Sequence, residues 1–427
     1  MTTWRATPAL ARAVVLAAVG LLAGVTLGRP VVVVLVSPFL LLVLMSLLHR
    51  PSGHPRVDHR LDHVTLHEGQ GTTLRLRLEA AEGVEVVSRA AARAPYVATR
   101  PPGGALVALA DDDHSLRVSP RRWGRRTLGD ERVALTSRWA GFRFGATRVQ
   151  GARMFVMPGP APYDSRAEAP APVGLVGAHR SRRNGSGTEF SGIRPFATGD
   201  RLRRIQWRTS LRTGSLHVVT TRAEEDSAVL VVVDALVDLG RSGGVDGEAS
   251  SLDLAVRAAS SLAEHHVRRG DRVGLRVLGA DDVRLAPAAG QRHLRRLQGT
   301  LARTRLHSRA RLPEGFALGV PGGTVVHVLS PMLDPALVTA VATASRRGLH
   351  VVVVDTLPPD VRMAVAEGTD ERLAGLAWRM RRLDRDDLLR HLAATGCPVV
   401  PWRGPGTLDE VLHRLARRAQ LPAMRSR

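Results

Sequence analysis

The sequence predicts a multi-domain chain: an N-terminal transmembrane helical hairpin, a small β-sandwich, and a doubly wound α/β domain. Three observations carry this. Two apolar runs, separated by Arg29-Pro30, open the chain. Short runs of alternating apolar and polar residues, divided by turn residues, fill residues 55–157. Beyond residue 223, near-continuous Val/Leu runs alternate with stretches of helical periodicity. At 427 residues the chain exceeds one ordinary domain, and an apolar content of 44% supplies ample core.

The hairpin is expected within residues 1–50. Its runs are Ala13 to Gly28 and Val31 to Leu48. At about 1.5 Å per residue the second nearly crosses a bilayer core of about 30 Å. The first is shorter and draws on Pro8–Leu10, with Arg12 snorkelling. A cleaved signal peptide is the competing reading. Against it, a second long run follows at once and no clean small-x-small cleavage site precedes it. Pro38 bends the second helix without excluding it. Arg5 and Arg12 flank one end, Arg50, Arg56 and Arg60 the other, and only Arg29 lies in the turn. The positive-inside rule then places both ends, and the large soluble part, on the cytoplasmic side of the plasma membrane. The single cysteine, Cys397, allows no intrachain disulfide, which agrees with that compartment. It precedes Pro398-Val-Val and reads as a buried core residue.

A net charge of +22 invites a nucleic-acid reading. Yet every basic residue other than histidine is arginine, and Asn184 is the only asparagine, a pattern of GC-rich coding. The arginines are scattered and form no basic arm, so no nucleic-acid partner is expected. Membrane lipid is the expected partner of such a surface.

Within 55–157, strands are expected at Thr73–Leu78, Val84–Val87, Leu106–Ala110, Ser115–Val118 and Arg132–Leu135. Residues 158–178 are rich in Pro, Ala and Gly and read as a linker. A segment at 179–222 follows that shows neither helical nor strand periodicity. It places Glu189, Phe190, Arg194, Phe196, Gly199, Asp200, Arg204, Ile205, Trp207, Ser210 and Arg212 in close order. Gly185-Ser-Gly187 lacks the following Lys-Ser/Thr and the preceding strand of a phosphate-binding loop. Carboxylates among many arginines suit bidentate forks, and arginine stacks on faces such as that of Trp207. The segment therefore acts either as a structural clasp or as a partner-binding surface. It offers no nucleophile–base pair for catalysis.

In the last region, 223–427, strands are expected at Ala228–Asp234, Arg272–Leu278, Thr324–Leu329, His350–Asp355 and Pro398–Trp402. Helices are expected at Ser251–Arg268, Gln291–Ala302, Pro335–Arg347, Arg385–Thr395 and Thr407–Ala419. Continuous apolar strands mark a parallel sheet covered on both faces. His265 and His266 read as a solvated helix end.

The signature from Glu189 to Arg212, leading into the strand that ends at Asp234, resembles the domain of unknown function 58 family. The turn Pro120-Arg-Arg-Trp-Gly124 and Trp139-Ala-Gly-Phe-Arg143 resemble that family's amino-terminal module. The resemblance implies that the last domain is von Willebrand factor A-like, and that the protein accompanies a MoxR-type AAA+ ATPase. Such domains usually hold a divalent cation through Asp-x-Ser-x-Ser after the first strand. Here the stretch is Asp234-Ala-Leu-Val-Asp238, and Ser330-Pro331 with Asp334 stands where a further acidic ligand is expected. Leu236 cannot ligate, so the site reads as degenerate, with weak magnesium binding through Asp234, Asp238 and Asp334 as its most and no other cofactor. The function expected is that of a non-enzymatic membrane-anchored scaffold or adaptor working with that ATPase. The alternative is a metal-dependent, adhesive ligand-binding A-domain.

Overall fold

The computed structural model describes residues 3–80, 82–159, 184–197, 200–222, 228–279, 281–306, 311–321, 324–361, 370–404 and 407, with 184–191 and 221–222 described by backbone alone. The linker expected at 158–178 lies outside the described residues from 160 onward, and the helix expected over Thr407–Ala419 lies outside them beyond its first residue. The chain forms two compact units. The first takes the residues up to 159 with 243–247, and the second takes the rest.

In the first unit, α1 (Pro8–Thr26) and α2 (Pro30–Leu48) form the expected hairpin, and both are long and apolar enough to cross a membrane. Thr7 caps α1 by accepting the Leu10 N–H at 3.2 Å, and Pro8 opens the helix, where its missing N–H costs nothing. The helices touch at two glycines four residues apart. A Cβ at Gly20 would lie 2.2 Å from Val36 Cγ1, and one at Gly24 2.8 Å from Val33 Cγ2. Small residues at this spacing let helix backbones approach in lipid. Val15, Val19, Leu22, Leu35 and Leu44 face outward.

The rest of the unit is all β, as the period-2 pattern requires. A five-stranded sheet runs β1 (Trp4–Ala6), β11 (Phe142–Val149), β10 (Glu131–Ser137), β5 (Val84–Ala91), β7 (Ala105–Leu109). A four-stranded sheet runs β2 (Arg56–Leu61), β4 (Thr72–Glu79), β8 (Leu116–Pro120), β6 (Val97–Arg100). A third, of β3 (Thr65–His67), β12 (Arg153–Met157) and β9 (Gly124–Thr127), completes it. Val87, Val133, Leu135 and Phe144 of the first sheet pack against Val57, Leu76 and Leu78 of the second. A second core gathers Leu61, Leu74, Leu116, Val118, Leu128 and Val156. The residues ahead of the hairpin, expected only as its flank, instead supply β1, which pairs antiparallel with β11.

In the second unit, β13 (Asn184–Pro195) and β14 (His217–Arg222) form an antiparallel pair, with the short helix α3 (Trp207–Thr213) between them in sequence. A six-stranded sheet follows, ordered β17 (Val283–Ala288), β16 (Arg272–Leu278), β15 (Ala228–Asp234), β18 (Val325–Ser330), β19 (His350–Asp355), β20 (Val399–Pro401). All pairs are parallel except β16–β17. Its helices are α4 (Ser251–Arg268), α5 (Gln291–Leu301), α6 (Pro335–Arg346) and α7 (Glu371–Ala394).

Consecutive residues of β18 and β19 are buried, so both sheet faces are covered. Val232, Val326, Val328, Val351 and Val353 pack with Leu337, Val338 and Val341 of α6, Leu392 of α7, and Cys397. The cysteine is fully buried, as its sequence context predicts. The alternate face carries His327, whose Nε2 lies 3.2 Å from Nε2 of His266 on α4. His266 Nδ1 in turn lies 2.8 Å from Asp271 Oδ2. The two histidines of α4 are therefore not a solvated helix end: the last turn lies against the sheet, which buries His266 and half-buries His265. Burial pulls the His327 imidazole well below its usual value and that of His265 down to about 4, so both are neutral at pH 7.

Candidate functional site

In an open α/β sheet, ligands are received outside the carboxyl ends of the strands, where the strand order reverses. Here the reversal falls between β15 and β18. Asp234 closes β15, Ser330 closes β18, and Asp355 closes β19.

Asp234 is 2% exposed. Its Oδ2 accepts from the Ser330 hydroxyl at 2.5 Å and its Oδ1 from the Leu236 N–H at 2.9 Å. Ser330 Oγ accepts the Met332 N–H at 2.8 Å, so the loops after β15 and β18 are stitched through one carboxylate. Leu236 and Met332 belong to the same buried core cluster. Burial, with a smaller contribution from the Asp334 charge, pushes the Asp234 carboxyl up to about 6, and the bonds from Ser330 and Leu236 offset only part of this.

The other two acidic candidates cap helices. Asp238 Oδ1 accepts the Leu252 N–H at 3.0 Å, in the first turn of α4. Asp334 is the N-cap of α6 and accepts from the Ala336 and Leu337 N–H groups at 2.8 and 3.3 Å. The fold thus turns each carboxylate to a backbone or hydroxyl donor. Among the described residues, no group of three or more His, Cys, Asp or Glu is placed to hold a metal ion.

A residue that the sequence reading passed over closes the rim. Arg385 of α7 is buried. Its Nε donates to the Pro331 carbonyl at 2.6 Å, its Nη2 to Asp355 Oδ1, and its Nη1 to Asp386 Oδ1 at 3.0 Å. The helix was expected to begin at Arg385, but it begins at Glu371, capped by Asp370, which accepts the Arg372 N–H at 2.8 Å. Arg385 therefore lies in the interior of a 24-residue helix, where its face is fixed. The signal available was a lone arginine in register with Leu389 and Leu392 on the inward stripe.

Asp234→Asn isolates the cost of the buried charge. Between the ordinary carboxylate value and about 6, the folded state holds a proton that the unfolded chain has released, so stability falls as pH rises through that window, by up to about 3 kcal/mol. Urea unfolding should find the variant more stable than the parent at pH 8 by as much as about 3 kcal/mol, with the gap gone near pH 4. A variant weaker at both pH values would mean that Ser330 and Leu236 require the carboxylate.

In the signature segment, described side chains bond to one another. Arg194 forks Asp200, Nη1 to Oδ2 at 2.8 Å and Nη2 to Oδ1 at 2.7 Å, and Asp200 Oδ2 also accepts the Ala197 N–H at 2.9 Å. The Arg194 bond holds the Asp200 carboxyl below its ordinary value. Ser210 of α3 donates to the Gln206 carbonyl and accepts the His217 N–H, each at 2.9 Å, which ties the helix to β14. Arg204 ends a short 3-10 turn and is half-buried, whereas Arg212 is exposed. The side chains of Glu189 and Phe190, and the whole of Gly199, lie outside the described residues.

Stacking of arginine on Trp207 is not found among the described residues. The helix is anchored through Ser210, which leaves Trp207 61% exposed and Leu211, one turn on, 82% exposed. Leu202 is exposed beside them in sequence. Trp207 and Leu211 thus present an exposed apolar face on one side of α3.

The comparison with known families falls on this same stretch. Residues 192–374 match the family described as protein of unknown function DUF58. The matched stretch spans Arg194, Asp200, Trp207, Asp234, Ser330 and Asp355, and ends before Arg385. Uncharacterized proteins of Mycobacterium bovis and of two strains of Mycobacterium tuberculosis are each 30% identical to the chain over 188 residues, 43% of this chain. The chain spans about half, 52%, of the length of these curated relatives.

Proposed function

We propose that the chain is a non-enzymatic, membrane-anchored adaptor. Its α/β domain is von Willebrand factor A-like and works with a MoxR-type AAA+ ATPase on the cytoplasmic side of the plasma membrane. The orientation rests on the arginines at both outer ends of the hairpin. The observation that carries the reading is the surface of Trp207 and Leu211, one turn apart on α3 and exposed on a segment made rigid by the Arg194–Asp200 fork and the Ser210 bonds. A rigid aromatic anchor with aliphatic neighbours is the usual centre of a protein–protein contact. Asp234 is buried, and Asp238 and Asp334 are turned to the N–H groups of helix starts, which favours the adaptor over the adhesive alternative.

Crosslinking the full-length protein in its own membrane, followed by mass spectrometry, should recover an AAA+ ATPase. Trp207→Ala removes an anchor worth about 2 kcal/mol or more, so recovery should drop on the order of thirtyfold. The side chain is exposed, so the variant should melt with the parent. Full recovery of the ATPase by the variant, or none by the parent, would sink the reading.

A further inference from the structure

The hairpin packs against the β-module of the first unit at the turn from Arg138 to Gly141. Thr7, the cap of α1, donates its N–H to the Gly141 carbonyl at 2.9 Å and its hydroxyl to the Ala140 carbonyl at 2.6 Å. Near the end of α2, Ser46 is buried against the same turn: a Cβ on Gly141 would lie 2.5 Å from Ser46 Cβ. Two residues beyond α2, the Arg50 guanidinium lies 5.4 Å above the Phe142 ring. One end of both helices therefore sits on the turn from Arg138 to Gly141. The helices are 19 residues each, about 28 Å long, so a hairpin that spans a bilayer brings this turn to the headgroup layer.

Two features of the turn are costly without a partner. Trp139 is 47% exposed and has φ of 62°, a left-handed conformation unusual for a bulky residue. Its N–H is held by Glu85 Oε2 at 3.1 Å, which keeps the backbone in that shape and the indole outward. In the register of β1 on β11, Arg5 stands directly opposite Arg143. Like charges in that position repel. Both are exposed, and neither has a carboxylate within ion-pair distance among the described residues. Arg12, Arg50 and Arg138 are exposed at the same end.

An exposed tryptophan beside unmatched arginines, at the end of an apolar hairpin, has the chemistry of a membrane interface. Indole rings settle at headgroup level, and phosphate accepts the forks of two opposed guanidiniums. We infer that Arg5, Arg143 and Trp139 form a collar that binds the headgroup phosphates of anionic phospholipid. The inference rests on the reading that the hairpin spans the membrane.

The test uses full-length protein in bilayers of equal phosphatidylglycerol and phosphatidylcholine, with native mass spectrometry counting the lipids retained. The parent should keep phosphatidylglycerol over phosphatidylcholine by on the order of tenfold. The double variant Arg5→Gln, Arg143→Gln should fall to near parity while melting no lower than the parent, since it removes a repulsion. In the same bilayers, phospholipids brominated near the headgroup should quench the parent's fluorescence more than that of Trp139→Phe. Alkaline carbonate extraction separates the two levels. Protein that stays in the membrane but retains both lipids equally overturns the collar alone. Equal phosphatidylglycerol preference in parent and double variant also overturns it. Protein released by carbonate overturns the spanning hairpin and the collar with it.

Discussion

Glu131→Ala is expected to destabilise the first unit by about 3–5 kcal/mol. Glu131 and Arg89 are both buried and face each other across β10 and β5, where Val133 registers with Arg89 and Glu131 with Ala91. Arg89 Nε donates to Glu131 Oε1 and its Nη2 to Oε2 at 2.8 Å, while Nη1 donates to the His114 carbonyl. His59 Nδ1 lies 3.2 Å from Oε2. Burial alone would raise the Glu131 carboxyl, but the bonds from His59 and Arg89 override it and hold it below its ordinary value. The alanine leaves a guanidinium in the core without its counter-charge, and that desolvation dominates the loss. The melting temperature of the unit should fall on the order of 10 °C by calorimetry. Replacing both partners with apolar residues, Arg89→Met with Glu131→Leu, should recover most of it, because no charge then remains buried. In the parent, the carboxylate's contribution is complete above the usual carboxylate range and fades as pH falls through its lower folded value. A single alanine variant that melts with the parent would remove the pair from the account of this fold.

Arg385→Met is expected to cost the second unit a comparable amount, about 3–5 kcal/mol. Here the buried arginine ties the loop after β18, through the Pro331 carbonyl, to the end of β19, through Asp355. Methionine fills the volume but leaves Asp355 with the Leu357 N–H at 3.0 Å as its remaining bond, and leaves the Pro331 carbonyl without its donor. Pairing Arg385→Met with Asp355→Asn should return more than half of the loss, since the residual charge is the expensive part. Guanidinium unfolding of the single and double variants supplies the cycle. Additive losses would mean that the two residues are not coupled. Because Ser330 bonds Asp234 on one side and precedes Pro331 on the other, the single variant should also loosen the stitch at the strand ends, read as faster amide exchange at Leu236 and Met332.

The chain by itself determined the parts whose signals are local. The bounds of β15, β16, β19 and α4 were legible because buried parallel strands are continuous apolar runs, and because Ser250 with Asp253 forms a capping box while Gly270 follows the helix end. The hairpin was legible in its two apolar runs, and the burial of Cys397 in its apolar context. The acidic candidates could be picked out only through the resemblance, which points to the stretch after the first strand and to the loop after the strand that ends at Ser330.

What each group touches was decided by the tertiary structure, since the partners lie far apart in sequence. Asp234 is claimed by Ser330, 96 residues on, and Arg385 by Asp355 and Pro331. Three residues of β1 carry no periodicity of their own and become a strand only against β11. The antiparallel β17 contains Pro287, a mark against a strand that an edge position tolerates. The start of α7 was hidden because Leu373, Leu376, Met380 and Leu383 make a second apolar stripe facing away from the sheet, which blurs the period of the inward one. Local patterns set which elements form, but closing the chain over a hundred or more residues decided which polar groups were buried together, and burial sets the strength of their bonds and charges.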